Sequence, residues 1–348
     1  MTPELYARAK EIFLSAQEAA EEERGTLVAE RCGGDEPLRR EVEALLASDR
    51  AGAGFLDRAA LPVPPWDEVE PAPPTRVGPY RVVGEIGRGG MGSVYLAERA
   101  DDAYAGRVAL KLVRRGMDTE DILRRFRTER QILASLQHPN IARLLDGGTT
   151  EDGRPYFVME YIEGRTLTED ARARALPLKD RLTLFRVVCA AVQHAHRNLV
   201  VHRDLKPSNV MVTADGAVKL LDFGLAKVLG TEAPAPERTT GATAIFTPEY
   251  ASPEQLAGRA ITTSTDVYSL GVVLYELLAD AHPYREDAAS PARLWQAVCE
   301  TDPPPPSAVA ARTGGPAARR APALAGDLDA IVLKARRKDP SRRYATVD

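Results

Sequence analysis

The chain has 348 residues, which at about 150 residues per domain corresponds to two domains or one large two-lobed domain. Hydrophobic residues make up 44% and charged residues 28%, the balance of a globular chain with a real core, which excludes the disordered, collagenous and membrane-embedded classes. Lys and Arg number 46 against 50 Asp and Glu, a formal charge of −4 with no basic stripe, which excludes nucleic acid as a main partner.

The pattern starts with helices. Leu5, Ala9, Ile12, Phe13, Ala16 and Ala20 recur at spacings of three and four and share one helical face. Gly33-Gly34 stops that pattern, and Asp35 with Pro37 in the first turn restarts it, with Leu38, Val42, Leu45 and Leu46 as a second apolar stripe. Short helices over so few residues make a marginal core, so residues 1–58 read as a docking or regulatory helix hairpin, with an independent domain as the alternative. Seven prolines between Pro62 and Pro79, interleaved with Asp67, Glu68 and Glu70, make residues 59–77 an extended linker.

Strand patterns follow at Tyr80–Ile86, Ser93–Glu98 and Arg107–Val113, each rich in β-branched or aromatic residues. A helix is expected over Thr119–Leu136, then strands near Arg143–Leu145 and Tyr156–Tyr161. Beyond Gly164 the periodicity is mostly helical, most clearly at Leu182–His196 and Asp266–Leu278. A small sheet-rich half (78–163) followed by a larger helical half (164–348) predicts an α+β, two-lobed domain over 78–348. The longest apolar stretch, Leu270–Leu278, is interrupted by Glu276 and falls short of the roughly 20 residues a membrane span needs. Met1-Thr2-Pro3-Glu4 lacks the basic and apolar regions of a signal peptide. Cys32, Cys189 and Cys299 are odd in number and far apart, so they form neither a disulfide framework nor a zinc ligand set, and a reducing cytoplasm is expected.

Three motifs carry chemistry. Gly87-Arg88-Gly89-Gly90-Met91-Gly92 spells G-x-G-x-x-G, but a strand (Ser93-Val94-Tyr95-Leu96) follows it, where a dinucleotide-binding turn would open a helix. The glycines therefore belong to a hairpin tip, either a plain flexible one or one whose backbone amides approach phosphate oxygens closely. Val108-Ala109-Leu110-Lys111 puts a lysine in an otherwise apolar strand, where it either reaches solvent at an edge or needs an acidic partner such as Glu129. His202-Arg203-Asp204-Leu205-Lys206-Pro207-Ser208-Asn209, followed 18 residues after Asp204 by Asp222-Phe223-Gly224, supplies what phosphoryl transfer requires. One carboxylate can take a hydroxyl proton, a lysine can neutralise the moving phosphoryl group, and an amide oxygen with a second carboxylate can bind Mg²⁺.

With these motifs the chain resembles a bacterial serine/threonine protein kinase of the eukaryotic, Hanks type, over about Gly78 to Asp348. The resemblance implies ATP and Mg²⁺, with Mn²⁺ as a substitute, and protein substrates with Ser or Thr acceptors. It implies that Gly87, Gly89 and Gly92 cover the ATP phosphates, that Lys111 holds the α- and β-phosphates, and that Glu129 pairs with Lys111. Asp204 would be the catalytic base, Lys206 the γ-phosphate contact, and Asn209 and Asp222 the Mg²⁺ ligands. Ile86, Val94, Ala109 and Met211 would enclose adenine, Met159 would be the gatekeeper, and the backbones of Glu160 and Ile162 would bond the adenine edge. Thr247 is similar to the threonine that supports Ser/Thr acceptors, Glu254 should pair with Arg343, and Asp266 should brace the catalytic loop.

Arg203 directly before Asp204 is similar to an arrangement controlled by activation-loop phosphorylation, for which Thr239, Thr240 and Thr243 lie in the right stretch. A simply solvated threonine-rich loop is the plain alternative there. Relatives that pair in trans imply a homodimer for autophosphorylation, and a nucleotide-binding pseudokinase acting as a scaffold is the competing class. Two positions depart from the family's usual spelling: Ser252 replaces alanine before Pro253-Glu254, and Phe246 precedes Thr247 where glycine is frequent. Ser341-Arg342-Arg343-Tyr344 resembles the approach to the fold's last helix, so the resemblance implies a chain continuing past Asp348. His194 and His196, two apart on a helix, point in different directions and make poor co-ligands. The basic run Lys334, Arg336, Arg337, Lys338, Arg342 and Arg343 is expected to form helix surface and lobe packing.

Overall fold

In the computed structural model the chain divides into two compact units, Met1–Pro71 and Ala72–Asp348. The structure describes residues 12, 28, 31–33, 35, 38, 39 and 42 of the first unit, and 74–89, 92–100, 106–114, 136–223, 247–284 and 290–348 of the second. In the first unit Ile12, Val28, Cys32, Leu38 and Val42 are helical and buried. Gly33 turns the chain with φ +57°, and Asp35 accepts the Leu38 N–H at 3.2 Å, so a helix stops and restarts at these two residues.

The second unit opens with a six-stranded antiparallel sheet: β1 (Arg76–Val77), β2 (Tyr80–Gly89), β3 (Gly92–Arg99), β4 (Arg107–Val113), β5 (Leu144–Thr149) and β6 (Pro155–Glu160), in the order β1-β2-β3-β4-β6-β5. Alternation of side chains across a strand sorts its residues between two faces. Val108, Leu110 and Leu112 of β4 join Tyr95, Ala97, Tyr156 and Val158 in one apolar cluster. Ala109 and Lys111 take the opposite face, paired in register with Met159 and Phe157 of β6, and Lys111 also lies opposite Val94 of β3. A one-residue slip would bury Lys111 in the wrong layer, so the apolar set fixes where the ammonium emerges.

The strand reading holds closely for β4 and stops three residues short on β2, whose ladder runs on to Gly89. The strand expected at 143–145 starts at Leu144 and continues to Thr149, because Gly147 and Gly148 pair on β6 despite their weak strand propensity. Of the helix expected over Thr119–Leu136, only Leu136 lies among the described residues, and it is outside any helix.

A second small sheet, β7 (Gly164–Thr166), β8 (Val210–Thr213) and β9 (Val218–Leu220), sits with the helices. These are α1 (Leu167–Ala173), α2 (Leu178–Arg197), α3 (Pro253–Leu256), α4 (Thr263–Ala279), α5 (Pro291–Cys299), α6 (Pro306–Thr313), α7 (Gly315–Leu324) and α8 (Asp327–Ala335). From Thr265 to Ala279 every residue of α4 is buried, as expected of a helix apolar on all sides and packed in a core. Thr262 caps it by accepting the Ser264 N–H at 3.3 Å. Phe157 and Met159 of the first sheet join Leu205, Leu220, Phe223, Leu270 and Val273 in one cluster, which ties β6 to α4 and to the loops between.

The basic end of the chain is not all surface. Arg336 is 1% exposed, its guanidinium lying 5.1 Å from the Tyr275 ring centre and 4.8 Å from that of Tyr284. The same charge bears on His282, whose pKa is pushed down to about 4 by burial first and by Arg336 second. A folded value below the unfolded one of about 6.5 makes the folded state lose stability as pH falls through the interval between them. His282→Asn, which keeps an acceptor for the Tyr284 N–H, is therefore expected to flatten the chemical-denaturation midpoint between pH 6.5 and 4 relative to wild type. An unchanged slope would assign the acid sensitivity elsewhere.

Candidate active site

Between the six-stranded sheet and the helical half lies a cleft of about 670 Å³. Ile86, Gly87, Gly89, Gly92, Val94, Ala109, Lys111, Met159, Glu160, Ile162 and Met211 all line it, and so do Asp204, Lys206, Asn209, Asp222 and Thr247. Glu129, Thr239, Thr240, Thr243 and Phe246 lie outside the described residues.

The glycines of β2 and β3 have different reasons to be glycine. Gly92 has φ +137°, and a Cβ there would lie 2.0 Å from the Leu112 carbonyl oxygen, so it is required by the packing of the hairpin on β4. Among the described residues, a Cβ on Gly89 would meet nothing within 4 Å and one on Gly87 only the Val94 Cβ at 3.9 Å. Those two leave backbone facing open cleft, the space a phosphate chain would occupy. At the opposite edge the Glu160 N–H is already given to the Arg143 carbonyl at 2.9 Å, whereas the Ile162 N–H makes no hydrogen bond to any other described residue. Glu160 can thus offer a carbonyl and Ile162 a donor to a flat heteroaromatic edge. The Glu160 carboxylate is held from behind by Lys219 Nζ at 2.9 and 3.1 Å, a contact sequence reasoning missed because the partners are 59 residues apart.

Deeper in the cleft, Lys111 Nζ donates to Asp222 Oδ2 at 2.6 Å, which partners an ammonium whose side chain is 9% exposed. Asn209 Nδ2 donates to the Asp204 carbonyl at 2.8 Å and to Asp204 Oδ2 at 3.2 Å. With its NH₂ so engaged, Asn209 keeps Oδ1 on its other branch. An amide oxygen and the Asp222 carboxylate in one cleft suit a hard divalent cation such as Mg²⁺. Lys206 Nζ bridges Asp204 Oδ2 at 2.9 Å and Thr247 Oγ1 at 2.6 Å.

The loop carrying Asp204 is strung on a buried scaffold. Asp266, in the first turn of α4 and fully buried, accepts the His202 N–H on Oδ2 at 2.8 Å, the Arg203 N–H on Oδ1 at 2.9 Å, and contacts His196 Nε2 at 2.7 Å. The carboxylate also faces the positive end of α4. Thus His196 turns to Asp266 while His194 turns to the His138 ring, 4.9 Å away, the divergence expected of residues two apart on a helix. His202 is fully buried and contacts the Leu221 carbonyl through Nε2 at 2.9 Å. Burial lowers its pKa against the pull of Asp266 and Asp204, so it is a neutral imidazole donating from Nε2. Glu254 and Arg343 meet in a two-armed ion pair, Oε1 to Nη1 and Oε2 to Nη2, both 2.7 Å.

The family model of the protein kinase domain matches residues 80–346. The chain belongs to the protein kinase family. It is 37% identical over 274 residues to the serine/threonine-protein kinase PrkC of Bacillus subtilis, covering 78% of this chain and 39% of that protein. It is 37% identical over 279 residues to the serine/threonine-protein kinase PknB of Mycobacterium leprae, covering 79% of this chain and 42% of that one. The chain thus spans about two fifths of the length of these curated relatives. The crystal structure of the PknI kinase domain of Mycobacterium tuberculosis is similar at a TM-score of 0.57 and 27% identity, covering 78% of this chain and 92% of that one. The kinase family implies ATP, a divalent metal and protein substrates, and the cleft described above lies within the matched span. Among the described residues no helix is long and apolar enough to cross a membrane.

Proposed function

We propose that this kinase transfers the γ-phosphoryl group of ATP to Ser and Thr hydroxyls of proteins. One observation carries the reading: a single lysine, Lys206, ties the Asp204 carboxylate to the Thr247 hydroxyl, in the same cleft as the Lys111–Asp222 pair. The acceptor oxygen forms a bond to the γ-phosphorus, the bond from that phosphorus to the bridging oxygen of ADP breaks, and the hydroxyl proton passes to Asp204. Lys206 offers positive charge to the moving group, and Lys111 to the phosphates that stay with ADP. Asn209 and Asp222 would hold Mg²⁺, which neutralises charge on the phosphate oxygens when bound; Mn²⁺ fits the same oxygen set. Ile86, Val94, Ala109 and Met211 supply an apolar slot for adenine under the Met159 side chain.

Autophosphorylation at Thr239, Thr240 or Thr243, by a second copy acting in trans, belongs to the same proposal, as does a docking or regulatory role for residues 1–58. Three cysteines, odd in number and far apart in sequence, support a reducing cytoplasm as the compartment. The test is transfer of labelled γ-phosphate to the protein itself and to a basic acceptor protein, with sites read by mass spectrometry. Label on Ser and Thr, reduced at least about a hundredfold in Lys111→Met, is expected. ATP binding without transfer in folded wild type, with Mg²⁺ or Mn²⁺, would overturn the reading in favour of a scaffold. Active protein unmodified at all three threonines would remove the regulatory part alone.

A further inference from the structure

Ser252 is fully buried, and Gln255, three residues on, is 4% exposed. The two form a reciprocal cap at the start of α3: Ser252 Oγ accepts the Gln255 N–H at 3.3 Å, and Gln255 Oε1 accepts the Ser252 N–H at 3.0 Å. A local cap would need no more than this. The other end of the Gln255 amide leaves the helix and donates from Nε2 to the Arg203 carbonyl at 2.7 Å, across 52 residues of sequence. One orientation of the carboxamide satisfies both contacts, because a backbone N–H requires the oxygen and a backbone carbonyl requires the NH₂.

The residue it reaches is strained. Arg203 has φ +72°, in the left-handed region that side chains other than glycine rarely occupy. Such a conformation persists where the surroundings hold it, and here it is held on both sides. Its N–H goes to Asp266 Oδ1 at 2.9 Å and its carbonyl to Gln255. That carbonyl belongs to the peptide plane joining Arg203 to Asp204, so its direction sets where the Asp204 side chain leaves the backbone. We propose that Gln255 is a positioning residue for the Asp204 base: it clamps the Arg203–Asp204 peptide and makes the alignment of Asp204 depend on the docking of α3. The proposal rests on the kinase reading above for the role of Asp204, but the clamp itself is a statement about the loop. Gln255 is not among the described residues that line the nucleotide cleft.

Three variants of the full chain test it, read by steady-state kinetics, thermal melting and amide hydrogen exchange over residues 200–206. Gln255→Met keeps the volume and loses both hydrogen bonds. It is expected to lower kcat on the order of tenfold, the scale of a sub-ångström misplacement, to leave KM for ATP within about twofold, and to speed exchange in 200–206. Gln255→Glu keeps the acceptor for Ser252 but sets an oxygen against the Arg203 carbonyl. Its deficit relative to wild type should shrink as pH falls, because a protonated carboxyl can again donate. Ser252→Ala loses the hydroxyl of the cap alone and should lower the melting temperature while kcat stays within about twofold of wild type. Folded Gln255→Met with wild-type kcat and exchange overturns the clamp. If that variant does not fold, a pH-independent deficit in Gln255→Glu overturns it. Wild type that transfers no phosphate would sink the kinase reading, and exchange alone would then decide: faster in Gln255→Met supports the clamp, unchanged removes it.

Discussion

Asp204→Asn should abolish most phosphoryl transfer while sparing nucleotide binding, with kcat falling by about 10³-fold, the middle of the range for losing a general base. The oxygens of Asp204 are not equivalent. Among the described residues Oδ2 is occupied twice, by Lys206 at 2.9 Å and by Asn209 at 3.2 Å, whereas Oδ1 receives only the Thr247 N–H at 3.4 Å, at the edge of hydrogen-bonding range. Oδ1 is therefore the oxygen with capacity left for an incoming hydroxyl proton, and Lys206 with Asn209 fixes the rotation that presents it. Asparagine is nearly isosteric but cannot take that proton at neutral pH. The adenine slot and the Lys111–Asp222 pair contact other atoms, so the affinity for a non-hydrolysable ATP analogue, measured by calorimetry with Mg²⁺, should stay within about threefold. Loss of binding alongside activity would mean that Asp204 supports the cleft rather than the chemistry.

How far the sequence discloses this site depends on how local each cause is. The face assignment of Lys111 is legible because Val108, Leu110 and Leu112 alternate with it, and a half-buried strand translates alternation directly into inside and outside. The loop from His202 to Asn209 is legible because its chemistry is packed into eight consecutive residues. The reason for Gly92 is not, since the atom it must avoid is the Leu112 carbonyl on a neighbouring strand, and only the register reveals it. The same holds for Gln255, Glu160 and Lys219: each is an ordinary polar residue until a partner more than 50 residues away comes into contact. Arg336 is legible only in part. Its basic run reads as helix surface and lobe packing, but that this member in particular is buried between two tyrosine rings follows from helix packing that no single-chain pattern encodes.

Arg343→Met should be the most destabilising single change in the helical half, costing about 3–5 kcal/mol, the range for leaving half of a buried ion pair behind. Arg343 uses its five donors fully: two to the Glu254 carboxylate, and one each to the carbonyls of Arg337 at 2.7 Å, Ser264 at 2.8 Å and Lys338 at 3.1 Å. Its guanidinium also lies 5.0 Å from the Tyr268 ring centre. Lysine has one nitrogen and cannot reach this set, so Arg343→Lys should recover little of the loss. Glu254 supplies an internal check on the mechanism. Burial by itself would raise its carboxyl, but the hydrogen bonds and charge of Arg343 outweigh that and hold it below the usual value of 4.5. A depressed folded pKa means that the pair stabilises the protein fully above the unfolded value and less as pH falls through the folded one. Removing Arg343 leaves burial opposed only by the Thr265 hydroxyl, which donates to Glu254 Oε1 at 2.9 Å, and by a backbone hydrogen bond, so the shift should weaken and turn upward, with Glu254 binding its proton more readily than it does beside Arg343. The gap between wild type and Arg343→Met in urea-unfolding free energy should therefore narrow as pH drops from neutrality toward 4.5, and Glu254→Gln added to Arg343→Met should recover part of it at neutral pH. A gap that is constant with pH and untouched by the second substitution would assign the cost to the three orphaned carbonyls rather than to the buried charge.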